Sequence, residues 1–226
     1  MANEYTEVLD TILKDTVPDL PGVIRAVAER ELRLTMREFF EKSGVWTTII
    51  DNIAIPTNDA PVQLDDGDAF TEVIAIEGVA IGEPGTASWT TLTPLSGKPL
   101  PEPISNSPPT AWYVSSNPDE IKVYPATDVA QTKVLRAYVQ LIPAFDTTVL
   151  PRQITLKYHD AILDGFLARM YGQPNKPYSA PLVAGQKRHN FLRSIGYYSA
   201  QRKRGYNNTP NWRFPGGWRV PKPRSR

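Results

Sequence analysis

Apolar residues recur at helical spacing near both ends of the chain and lose that spacing throughout the middle, which excludes an all-helical or an all-β fold. Over residues 3–15, Tyr5, Val8, Leu9, Ile12 and Leu13 occupy one helix face, with Asn3 as N-cap and Pro18 and Pro21 beyond the end. A second helix is predicted over 22–42, where Ile24, Val27, Ala28, Leu32, Met36 and Phe39 share a side and Gly44 suits a left-handed stop. The short proline loop between the two predicts an antiparallel pair. Helical spacing returns at Arg152: Ile154, Tyr158, Ala161, Ile162, Gly165, Phe166 and Met170 form a stripe that ends at Gly172. Ala161, Gly165 and Ala168 are small enough to admit another helix at close range. A last helix is predicted over 180–204, capped by Ser179, opened by Pro181 and carrying Leu182, Ala184, Phe191, Leu192, Ile195 and Tyr198.

Residues 45–151 hold thirteen of the 22 prolines, confined to turns and strand ends where they cost a sheet no ladder bond. Between them lie short β-branched and aromatic runs at 46–55, 69–81, 111–114, 120–125 and 132–144. In the last of these Leu135, Ala137, Val139 and Leu141 alternate with a mixed face. Turn sequences at 65–68 (DDGD), 82–85 (GEPG), 96–103, 106–109 and 116–120 (SNPDE) separate the runs. The expected fold class is therefore α+β: a four-helix bundle with an inserted antiparallel β-domain of five to seven strands, and an extended C-terminal arm. The segments are 1–44 for the first helix pair, 45–151 for the β-domain, 152–204 for the second pair and 205–226 for the arm.

The net charge of +1 conceals a separation along the chain: residues 1–164 sum to −12, and residues 165–226 hold 13 bases and no acid. That basic stretch suits either nucleic acid or an acidic protein surface. The chain contains no cysteine, which excludes disulfide scaffolds, thiol nucleophiles and thiolate zinc sites. Its two histidines, His159 and His189, are too few for a multi-histidine metal centre. Apolar runs fall short of a membrane span and the mixed acidic start is not a signal peptide, so a soluble protein made in the cytoplasm is expected, with no membrane partner.

Candidate chemistry is sparse. DDGD lacks the ligand spacing and terminal Glu of a calcium loop and reads as a tight hairpin turn. His159 and Asp160 are helix neighbours, expected to point apart rather than to form a base and its orienting group. His189 sits among Gln186, Lys187, Arg188 and Arg193 on a solvated face. Carboxylates at 51–83 could hide a glycosidase pair, which leaves no local signature. With no nucleophile elbow, phosphate loop or dinucleotide fingerprint, no enzyme activity, no catalytic residue, no metal and no cofactor are expected.

The arm is the most distinctive segment. Trp212, Phe214 and Trp218 alternate with Arg213, Arg219, Lys222, Arg224 and Arg226, broken by four prolines. A solvated tail needs no such aromatics, whereas interface anchors combine large rigid rings with Arg forks. Prolines favour an extended form and lower the ordering cost of docking. Single-stranded nucleic acid, with bases on Trp and phosphates on Arg, is the other fit. Docking on protein is the stronger of the two.

The stretches IKVYPATD (121–128), VLRAYVQLIPAFDTTVLPRQI (134–154) and 158–191 resemble the head-to-tail adaptor proteins of tailed bacteriophages. The carriers are Pro143, Leu150, Pro151, Tyr158, Ala161, Gly165, Ala168, Met170, Tyr171, Pro174, Pro177, Tyr178, Pro181, Ala184 and Phe191. The resemblance covers roughly 110–200; the first helices and the tail agree with the family in layout only. It implies a virion protein of the neck, assembled in the host cytoplasm as a homo-oligomeric, usually dodecameric, ring beneath the portal protein and above a tail or nozzle protein. DNA would pass through the lumen without specific binding. The resemblance implies that the arm, through Trp212, Arg213, Phe214, Trp218, Arg219, Lys222 and Arg224, grips the portal. Tyr158, Ala161, Gly165 and Phe191 would pack the bundle. The alternative is a nucleic-acid-binding module using the basic aromatic C-terminal segment.

Overall fold

The computed structural model describes residues 5–16, 20–57, 59–97, 107–127 and 129–204. In chain order these form β1 (Tyr5–Glu7), α1 (Val8–Thr16), α2 (Arg25–Ser43), β2 (Thr47–Ala54), β3 (Val62–Gln63), β4 (Thr71–Gly82), β5 (Trp89–Thr91), β6 (Thr93–Pro94), β7 (Ala111–Val114), β8 (Glu120–Tyr124), β9 (Val134–Pro143), β10 (Val149–Pro151), α3 (Arg152–Tyr171) and α4 (Pro181–Lys203). One antiparallel sheet has the order β2-β9-β4-β5, a second has β3-β8-β7-β6, and β1 pairs with β10 as a short ribbon. In the second sheet β6 runs parallel to β7, a departure from the expected all-antiparallel pattern.

β9 lies inside the first sheet, between β2 and β4, and is covered on both faces. Leu135, Ala137, Val139 and Leu141 are buried along one face, as their alternation predicts. On the other face Gln140 and Ile142 are also buried, since the end of α2 crosses there. The Gln140 amide donates to the carbonyls of Phe40 and Glu41 at 3.0 and 3.1 Å, satisfying acceptors that a helix end leaves open. Gly44 then ends α2 in the left-handed conformation, φ 64°, with its N–H donating to the Phe40 carbonyl at 2.9 Å. β2 follows, and its register on β9 shifts between Ile50 and Ile53, where Asn52 takes φ 59°, a conformation short polar side chains tolerate.

The expected four-helix bundle with an inserted β-domain is not what forms. Among the described residues α2, α3 and α4 pack on one another, but α1 has nine residues, about 13 Å of helix, and makes only brief contact, shared alike among α2, α3 and β10. One continuous core runs from Leu32, Phe39 and Phe166 through Trp46 to Val79, Leu135 and Ile121. The reason lies in the width of the apolar face of α2. Ala28, Glu31, Leu32, Thr35, Met36, Phe39, Phe40 and Ser43 are all buried, a span too broad for helices alone to cover, and β9 takes the remainder. Periodicity reports that a face is buried, not whether a helix or a sheet buries it.

Local differences have local causes. Tyr5–Glu7 pairs as a strand with Val149–Pro151, so the first helix begins at Val8 rather than at residue 3. DDGD is not a hairpin: it carries the chain from β3 in one sheet to β4 in the other, held by Asp65 and Asp66 carboxylates accepting from the Gly67 and Asp68 N–H groups. GEPG and SNPDE do close hairpins, β4–β5 and β7–β8. Ala180, not Ser179, is the residue before α4, and no side chain caps it.

Candidate functional site

Gly165 explains how three helices meet. A Cβ there would lie 2.6 Å from the Phe191 ring of α4 and 2.6 Å from Thr35 Cγ2 of α2, so only glycine permits the approach. Tyr158, Ala161 and Phe191 are buried around the same junction. The rings of Phe39, Tyr158 and Tyr198 pack there, Tyr158 edge to face on Tyr198 at 4.9 Å and Phe39 tilted against Tyr158 at 5.4 Å. These four residues, expected to pack a four-helix bundle, lie instead where the three helices α2, α3 and α4 converge.

Beside the junction, the basic C-terminal segment meets the acidic body. Glu38 of α2, its side chain 12% exposed, accepts from Arg188 of α4 at 2.6 and 2.8 Å, from Arg169 of α3 at 2.8 Å and from Lys42 at 2.6 Å. The Arg188 hydrogen bonds are the main cause that lowers the Glu38 pKa from 4.5 to about 2; burial opposes them, and Lys42 and Arg169 add to the lowering. Lys187 pairs with Asp164 at 2.7 Å. Arg202, in the last turn of α4, forms an ion pair with Glu77 of β4, and its guanidinium lies over Gly44, with Cζ 3.2 Å from where a Cβ would stand. The charge separation read along the sequence is thus partly neutralised in space, because α4 lies against acids of α2, α3 and β4. Sequence reasoning missed Glu38 and Arg202; the regular spacing of Glu31, Glu38, Arg188 and Arg202 offers no signal of which acid meets which base.

The remaining candidates do not converge. Asp51 pairs with Arg136, Asp59 with Lys122 at 2.7 Å and Glu72 with Arg37 at 2.9 Å, so these carboxylates of the middle segment are engaged by bases rather than by each other. Contrary to expectation, His159 and Asp160 do approach, Nδ1 to Oδ1 at 3.3 Å, with the Asp160 side chain fully exposed. His189 is exposed on α4. No group of three or more His, Asp or Glu suited to a metal occurs among the described residues, and no described helix is long and apolar enough to cross a membrane. Trp212, Arg213, Phe214, Trp218, Arg219, Lys222 and Arg224 lie outside the described residues.

No curated protein matches the chain. The family model described as SU10 adaptor protein matches residues 3–213, which takes in the N-terminal helix, both sheets, α3 and α4, and the chain beyond them as far as Arg213. With that match spanning nearly the whole sequence and the helix junction built on Gly165 and Phe191, the chain belongs to the SU10 adaptor protein family, a family of bacteriophage head-to-tail adaptors with a structural role.

Proposed function

We propose that this adaptor works as a ring, dodecameric in form, that joins the portal at the capsid vertex to the tail, with residues 205–226 gripping the portal. The observation that carries this is the family match through residue 213, which reaches Trp212 and Arg213 of the arm. In this proposal the aromatic rings fill apolar clefts on the portal and Arg213, Arg219 and Arg224 pair with its carboxylates. Arg202, bound to Glu77, would hold the last turn of α4 and so fix where the arm leaves the body. An acidic lumen surface would repel passing DNA.

The test compares the full chain with one ending at Gly205. Expected is a truncated protein with an unchanged melting temperature that no longer co-sediments with portal-containing heads. Retained head binding would refute the arm's role. The alternative, DNA binding by 187–226, has less support, since Lys187, Arg188 and Arg202 are engaged by acids of the same chain; it requires DNA affinity that falls steeply with salt.

A further inference from the structure

The outer side of α4 carries an apolar stripe that the described residues leave uncovered. Leu182 is 92% exposed, and Leu192 and Tyr197 are exposed on the same side of the helix, opposite Ala184, Phe191 and Ile195, which are buried. Gly185 and Gly196 lie along this stripe with open space where a Cβ would stand. Every charged residue of α4 is basic, and Arg193, on the stripe, makes no ion pair among the described residues.

A second uncovered surface has the opposite charge. Phe145, 69% exposed, and Phe70 stand side by side at one corner of the first sheet, joined by the Ala144 N–H donating to the Phe70 carbonyl at 2.9 Å. The Phe145 N–H donates to Glu72 at 2.8 Å and the Arg37 guanidinium lies 5.7 Å over its ring, so the corner is held in place. The Asp68 carboxylate accepts from the Phe70 N–H at 3.0 Å and Asp146 follows Phe145 in the chain, while Arg33 and Arg37 beneath the corner are taken up by backbone carbonyls and by Glu72.

The two surfaces lie on opposite sides of α2. Thr35, Glu38 and Phe39 face α4, whereas Arg33 and Arg37, on the other side of the helix, hold the Phe145 loop through the carbonyls of Asp146 and Pro143 at 3.4 and 2.7 Å. An apolar-basic face and an apolar-acidic face, set apart on one chain, fit one another on successive copies and not on themselves. A contact of that kind is heterologous, and it builds a ring when its rotation returns to the first copy and an open filament when it does not.

We propose that the lateral contact of the ring seats the outer face of α4 of one copy on the Phe70–Phe145 corner of the next. The proposal rests on the ring reading above and names the two surfaces that would meet.

The absence of cysteine makes the test clean. Leu192→Cys and Phe145→Cys are introduced singly and together into the full chain, which is then assembled on purified portal and treated with a short bis-maleimide. Expected is a ladder in steps of 25.2 kDa for the double variant and none for either single variant. Adding Arg193→Glu is expected to lower the ladder yield about tenfold, by placing like charges across the contact. A dimer from Leu192→Cys alone means two α4 faces meet and overturns the proposal. A ring by native mass that yields no ladder overturns the choice of faces while leaving the ring. Portal that carries only isolated copies, or none, refutes the ring reading itself.

Discussion

Arg188 of α4 holds Glu38 of α2 through two near-parallel hydrogen bonds, Nη1 to Oε2 at 2.8 Å and Nη2 to Oε1 at 2.6 Å. This fork is the strongest polar tie between the N-terminal and C-terminal helices. It forms at a helix junction where Arg169 and Lys42 also donate to the same carboxylate.

Glu38→Gln is therefore expected to destabilise the chain by about 1.5–3 kcal/mol at pH 7, because three bases lose their shared acceptor charge. The pH dependence follows from the lowered pKa. The ionised form is favoured in the folded state, so its contribution is present above about 4.5, falls as pH drops, and is gone near the folded value of about 2. Denaturant titrations at several pH values should show the wild type and Glu38→Gln differing most at neutral pH and converging toward pH 2. A constant gap across that range would contradict the assignment.

Gly165→Ala is expected to cost about 1–3 kcal/mol, since the added methyl would strike a rigid ring and a β-branched side chain in a packed junction. Gly185→Ala and Gly196→Ala meet open space on exposed helix and are expected to stabilise the isolated chain by about 0.5–1 kcal/mol. Thermal or denaturant unfolding of the three variants checks the sign at each position.

Arg202→Ala removes the tie between the end of α4 and β4. An ion pair with both partners partly exposed contributes about 0.2–1 kcal/mol, so amide exchange in the last turn of α4 should accelerate by roughly two- to fivefold while the core helices keep their protection. The exchanged pair Glu77→Arg with Arg202→Glu should recover part of the loss. Unchanged exchange at residues 199–204 would show that other contacts hold this turn.

Much of this architecture was legible in the residues. The third and fourth helices, the stop at Gly44 and the five main strands follow from period and turn chemistry, because each is decided within a window of a few residues. Three features were not. The β1–β10 ribbon pairs residues from distant parts of the chain, so Tyr5–Glu7 carries no local trace of it. Phe40 and Gln140 commit α2 to the sheet, but a phenylalanine one position off an apolar stripe and a glutamine in a strand look like ordinary variation. Leu182 and Leu192 fit the helical period of α4 and yet face outward, because α2 and α3 cover only the opposite side. Of the residues that join the helices, Gly165 is marked by its size and spacing, whereas Glu38 and Arg202 depend on which elements become neighbours.

The most direct measurement is an electron cryo-microscopy reconstruction of purified portal incubated with the full-length chain. The account predicts a closed ring of adaptor copies beneath the portal, with density from each C-terminal arm running into the portal. A portal that emerges bare, or one that carries the chain with its arms free of the portal, would contradict it.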